Sequence, residues 1–227
     1  MLDLYAWPTP NAHKVAIMLE EIGTPYKVIS VDIRSGEQSA PHFLKISPNG
    51  KMPAIVDHDA PGAPVTIFES GAILFYLAER SGRYWPTDTR ARYEVAQWVM
   101  WQMAGLGPMI GQAFHFMHYA PEKDGYAISR YSSEVNRLFG VLDKQLQSRE
   151  WICEDYSIAD MASYSWTLVF DYLGIDMRDF RSVLRWQTAM GHRPAVQRGM
   201  ALLAEFRQAP EQLDKEARQS LFGKPQK

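Results

Sequence analysis

The sequence predicts an α+β lobe of order βαβαββα followed by an all-helical lobe. Three observations carry this. Over the first 80 or so residues, short β-rich runs alternate with helical patterns, and Pro, Gly or Asn marks each change. From Thr87 onward strand signals cease and apolar residues recur at three- and four-residue spacing. The chain of 227 residues, 46% of them hydrophobic, can bury the cores of two modest lobes.

Met1 to Tyr5 reads as the first strand. After Pro8-Thr9-Pro10-Asn11, the positions Val15, Ile17, Met18, Leu19 and Ile22 fit a helix that Gly23 ends. Tyr26 to Val31 is the second strand, followed by a polar stretch and a short helix over Pro41 to Ile46. Pro53 to Val56 and Val65 to Phe68 flank a loop of turn residues and read as a hairpin, with a helix over Ser70 to Ala78 behind it. In the second lobe, Val95, Trp98, Val99, Trp101 and Gln102 form a helix running into Gly105-Leu106-Gly107-Pro108. The proline removes a helix hydrogen bond there, so the spacing predicts a kink. Tyr126 to Leu146 is a second long helix, and Ser157-Ile158-Ala159-Asp160 opens a third with a capping-box pattern. Val183 to Met190 and Val196 to Phe206 lie on either side of the break at Arg193-Pro194. The divisions expected are 1–82, 88–210 and a charged, loosely held tail over 211–227.

A net charge of −2 with dispersed Lys and Arg gives no general attraction to phosphate backbones, so nucleic acid is not an expected partner. Asp3 stands where a secretory leader carries positive charge, and no apolar stretch reaches the length of a membrane span; the expected location is cytoplasmic, with no membrane partner. The single cysteine, Cys153, excludes an intrachain disulfide and a multi-cysteine metal site. It lies beside acids that raise a thiol pKa and reads as structural. His115 and His118 are three apart but lack a third ligand at metal spacing, so no metal is expected. No phosphate loop and no Gly-x-Ser-x-Gly elbow occurs.

Three turns of the first lobe carry candidate chemistry. In Ala6-Trp7-Pro8-Thr9-Pro10-Asn11 the free N–H groups and the positive end of a helix face the turn, where Thr9 and Asn11 bring a hydroxyl and an amide able to donate to an anionic sulfur. Either residue also suits a plain helix cap. In Asn49-Gly50-Lys51-Met52-Pro53-Ala54 an X-Pro bond opens a strand, a place that tolerates cis proline and leaves the Met52 main chain free to pair with an extended peptide. In Phe68-Glu69-Ser70-Gly71, Ser70 and the first helical N–H groups can hold a carboxylate while Glu69 pairs with an ammonium; an N-cap serine beside a surface acid is the plainer alternative.

These three turns, in this order and spacing, resemble the cytosolic glutathione transferases. The likeness runs over nearly the whole chain and is strongest to the nu-class disulfide-bond reductases, through Thr9-Pro10-Asn11, Phe43 to Asn49, Phe68 to Leu74, Gly105 to Met109 and Tyr156 to Asp160. The resemblance implies a thioredoxin-like N-terminal domain with a mixed four-stranded sheet, an all-α C-terminal domain and a homodimer. It implies that Thr9 and Asn11 contact the glutathione thiol, Met52 and Pro53 the cysteinyl backbone, and Glu69 and Ser70 the γ-glutamyl end. Gln38 and Arg130 would hold the remaining polar groups, Arg130 from across the dimer interface; a solvated arginine on a helix face is its alternative. Glutathione would be the cosubstrate, and its thiolate would attack a small disulfide. Conjugation to an electrophile needs the same activated thiolate, and a non-catalytic glutathione-binding or regulatory protein of the same fold is the other reading.

Overall fold

The protein is described by a computed structural model over residues 1–223. Its first lobe contains β1 (Leu2–Ala6), α1 (Pro10–Ile22), β2 (Tyr26–Ser30), α2 (Pro41–Leu44), β3 (Ala54–Asp57), β4 (Val65–Phe68) and α3 (Ser70–Ser81). The four strands form one sheet in the order β2-β1-β3-β4. β1 runs parallel to β2 and antiparallel to β3, and β3 is antiparallel to β4. This is the mixed sheet of a thioredoxin-like lobe, as the sequence predicts. Gly23 ends α1 in the left-handed conformation, φ 67°, and returns its N–H to the Leu19 carbonyl.

The second lobe is helical throughout its described residues: α4 (Thr89–Trp101), α5 (Gly107–Phe114), α6 (Gly125–Leu146), α7 (Ile158–Thr167), α8 (Arg181–Gly191), α9 (Pro194–Met200) and α10 (Lys215–Phe222). The expected kink at Pro108 takes the form of a π-helical turn over Gln102–Leu106, which carries α4 into α5 without a break. A wider turn accommodates a proline that has no N–H to give. A second π turn, His115–Tyr119, follows α5. The capping box at α7 is complete: the Asp160 carboxylate accepts from the Ser157 N–H at 3.0 Å, and Ser157 Oγ accepts from the Ala159 N–H at 3.2 Å.

The tail differs from the expectation of a loose end. Asp214 caps α10 by accepting from the Ala217 N–H at 2.7 Å. Ser220 Oγ then donates to the Ile33 carbonyl at 3.0 Å, and Phe222 stacks on Tyr119 with ring centroids 4.6 Å apart. Residues 224–227, the end of that predicted tail, lie outside the described residues.

Helix α1 is the spine of the molecule. Every residue from Ala12 to Leu19 is buried: α3, α7 and α9 pack around the helix, and the inward residues of β1 and β3 share its core. At Gly199 of α9 a Cβ would lie 2.6 Å from Ile17 Cα, so only glycine permits this approach. At the C-terminal end of α1, Glu21 accepts from Arg193 at 2.7 and 3.0 Å, from Tyr84 at 3.0 Å and from Tyr156 at 3.1 Å. The Arg193 pair and the two hydroxyls hold the Glu21 carboxyl below its usual value against the opposing effect of its burial.

Candidate active site

The sheet register gathers the predicted turns. Tyr5 stands opposite Ala54, and Ala54 opposite Phe68, while Ala6 stands opposite Ser30. The turn after β1, the segment before β3 and the turn after β4 therefore leave one end of the sheet on adjacent strands, each about 4.8 Å from the next. The segment that carries Gln38 leaves β2 at the same end.

At the first turn, Thr9 is the N-cap of α1 with extended backbone (φ −117°, ψ 157°), and its Oγ1 accepts from the Ala12 N–H at 3.4 Å. Capping and sulfur binding are compatible, since the cap uses an oxygen lone pair and leaves the hydroxyl proton to donate. No acidic residue occupies the first turn of α1, so its positive end is not neutralised locally. Asn11 Oδ1 accepts from the indole Nε1 of Trp166 at 2.8 Å, and Ser165 Oγ donates to the Pro10 carbonyl at 2.7 Å. Both partners come from α7, so the helical lobe holds the start of α1.

At the third turn, Glu69 has φ 71° and ψ 115°, a conformation that costs a non-glycine residue about 1–3 kcal/mol. It occupies the cap position of α3, where no side chain caps the first N–H groups. Ser70 is the first residue of the helix and is buried, so the plain N-cap alternative does not apply to it. Asn49 Nδ2 reaches Glu69 Oε1 at 3.5 Å, joining the second turn to the third.

Behind Ser70 lies Lys14, 1% exposed. Its Nζ donates to Gln102 Oε1 at 2.6 Å and, at longer range, to Met103 Sδ at 3.3 Å and Ser70 Oγ at 3.4 Å. Burial pulls the ammonium down to about 7, with the Glu69 carboxylate working the other way. The π turn supplies both Gln102 and Met103, and Met103 rests on Gly71, where a Cβ would lie 3.0 Å from its Cγ.

Met52–Pro53 is cis, and Met52 precedes the β3 ladder, which begins at Ala54. Gln38 sits in a 3-10 turn, Glu37–Ser39, beside Gly50; a Cβ on Gly50 would lie 3.1 Å from the Gln38 carbonyl oxygen. Gln38 Oε1 is buried with no hydrogen-bond partner among the described residues. Arg130 stands apart from this cleft, on α6, with its guanidinium 3.9 Å from Glu134 and its side chain 58% exposed. Cys153 is buried, and burial together with Asp160 and Glu94 pushes its thiol up to about 12. His115 packs on Phe222, while His118 Nε2 contacts the Tyr172 carbonyl at 2.8 Å, so the pair serves packing. No group of three metal-ligating side chains occurs among the described residues.

Lys14, Trp166, Gln102 and Met103 are the residues sequence reasoning passes over. The glycines of Gly105 to Gly111 were the signal for Trp166 and Gln102. A Cβ on Gly107 would lie 2.8 Å from Gln102 Nε2 and 3.3 Å from Trp166 Nε1, and one on Gly111 would lie 3.5 Å from the Trp166 ring.

Residues 1–79 match the family described as glutathione S-transferase, N-terminal domain. The chain is 48% identical over 206 residues to the disulfide-bond oxidoreductase YfcG of Escherichia coli, covering 89% of this chain and 95% of that one. A glutathione transferase from Pseudomonas putida, solved with one glutathione disulfide bound per subunit, superposes with a TM-score of 0.85 at 43% identity, over 89% of this chain and 91% of that one. The transcriptional regulator URE2 of Saccharomyces cerevisiae is 33% identical over 227 residues, covering 82% of this chain and 64% of that one.

Proposed function

Because this chain belongs to the glutathione S-transferase family, we propose that the cleft at the end of the sheet binds glutathione as a substrate and ionises its thiol for thiol–disulfide exchange. One observation carries this reading. The only cysteine is sealed in the helical lobe with its thiol pushed up to about 12, whereas the turn suited to a sulfur holds a hydroxyl and an amide. The nucleophile then belongs to the ligand.

In this reading the tripeptide lies across the row of turns. Its γ-glutamyl carboxylate meets Ser70, the uncapped N–H groups of α3 and the Lys14 ammonium behind them, and its ammonium meets Glu69. The main chain at Met52 and Pro53 pairs with the cysteinyl residue, and Gln38 reaches the remaining polar groups. The thiol sits at Thr9 and Asn11, where donors and the start of α1 favour the thiolate. The thiolate attacks one sulfur of a small disulfide, forming a mixed disulfide and releasing the other half as thiolate. A second glutathione thiolate then attacks the mixed disulfide, leaving glutathione disulfide and the second thiol, so two electrons pass from two glutathiones to one disulfide. The Pseudomonas putida relative holds glutathione disulfide, the oxidised product of such an exchange. Arg130 acts from a second copy in a homodimer, and the protein works in the cytoplasm.

Glutathione-dependent reduction of 2-hydroxyethyl disulfide, measured beside conjugation of 1-chloro-2,4-dinitrobenzene, tests this reading. Reduction that exceeds conjugation and survives Cys153→Ser is the expected outcome. Binding of glutathione without either reaction would favour a non-catalytic binder, and reduction abolished by Cys153→Ser would refute a ligand-borne nucleophile.

A further inference from the structure

We propose that Trp166 is a positioning residue for thiol activation: its indole N–H fixes which way the Asn11 amide faces, and so makes Asn11 a donor toward the sulfur. This rests on the reading that Asn11 contacts the glutathione thiol. The chemistry of the pair decides the direction. An indole N–H can only donate, so the Asn11 atom 2.8 Å away is the carbonyl oxygen, and Nδ2 is the amide group left for a ligand. Turned the other way, the amide would set N–H against N–H at Trp166 and offer the sulfur an oxygen, which repels a thiolate.

The indole is held where this works. It lies against α5 at two positions without side chains: a Cβ on Gly107 would come within 3.3 Å of Nε1, and one on Gly111 within 3.5 Å of the six-membered ring. Its neighbour Ser165 donates to the Pro10 carbonyl at 2.7 Å, tying the same stretch of α7 to the residue before Asn11. Two hydrogen bonds across the lobe boundary thus bracket the turn. The first lobe carries the amide, and the second decides its polarity.

A double-mutant cycle on bound glutathione separates this proposal from its premise. The thiol pKa is read from thiolate absorbance and from the pH profile of disulfide reduction in the wild type, Asn11→Ala, Trp166→Phe and the double variant. Asn11→Ala should raise the thiol pKa by about one pH unit, the worth of one hydrogen bond to a charged group. Trp166→Phe should raise it in the same direction, with a roughly threefold to tenfold loss of kcat/KM below that pKa and glutathione affinity within about threefold. In the Asn11→Ala background the Trp166 change should add nothing. An unchanged thiol pKa in Asn11→Ala defeats the premise. A raised pKa there with none in Trp166→Phe, or effects that simply add, overturns the role of Trp166. Benzothienylalanine in place of Trp166 keeps the ring shape and loses the N–H, so the same comparison decides the matter if Trp166→Phe packs poorly.

Discussion

Among the described residues, each lobe seals one charged side chain away from water without a partner of opposite charge, and the two are treated in opposite ways. Asp160, in the helical lobe, is 0% exposed and accepts from the Ile152 and Ser157 N–H groups at 3.0 Å each and from Trp186 Nε1 at 2.8 Å. Lys14, in the first lobe, has one close acceptor, an uncharged amide at 2.6 Å, and two distant ones. Asp160 is thus a finished structural junction, joining a helix start, a loop and a core tryptophan. The Lys14 ammonium lacks a contacting carboxylate and sits behind the helix start where one is expected to bind. Burial raises the Asp160 carboxyl to about 6 even so, which shows how strongly the interior resists charge when donors are present. At Lys14 the same resistance can be relieved by a ligand.

The largest test of this contrast is Asp160→Ala. It orphans three buried donors, and the expected loss is about 3–5 kcal/mol in urea unfolding, with glutathione affinity of the folded fraction preserved. Lys14→Met should do the reverse, lowering glutathione affinity about tenfold or more in calorimetry without lowering stability at neutral pH. The pH dependence sharpens it. Folding pulls the Lys14 ammonium from its unfolded value near 10.4 down to about 7. Between these values the folded protein has released a proton that the unfolded chain keeps, so the stability contributed at this site rises with pH. Wild-type stability should therefore gain on that of Lys14→Met by about 2–4 kcal/mol from pH 7 to 10, and a constant gap would contradict the assignment. The smallest effect belongs to Arg130→Ala. Its exposed contact with Glu134 predicts a stability change within about 0.5 kcal/mol. A raised KM for glutathione would mark its use across a dimer, and an unchanged KM would leave it a solvated residue.

What could be read from the sequence was local. The Ser157 to Asp160 capping box, the end of α1 at Gly23 and the three turns each depend on a few neighbouring residues, and each stands where its chemistry placed it. What escaped depends on packing between distant segments. Trp166 meets Asn11 across 155 positions, and Lys14 meets Gln102 across 88. In α1 the run from Ala12 to Leu19 is buried on all sides, so no polar face distinguishes Lys14 as the interior residue it is. The charged composition of α10 suggested a loose end, but its cap, Ser220 and Phe222 bind it to both lobes. The proline at Pro108 indicated a disturbance of the helix without specifying a π turn or that its residues Gln102 and Met103 meet Lys14.

The wrapping of α1 also bears on how the chain can be divided. The first helix of the N-terminal lobe is enclosed over Ala12 to Leu19 by both lobes, and at its end Glu21 gathers Arg193, Tyr84 and Tyr156. A fragment stopping near residue 82 would bare one greasy side of that helix and strand an acid without its cation. Although the two lobes look like modules in the primary structure, neither is a portable part: they can be exchanged between relatives only together with the seam that joins them.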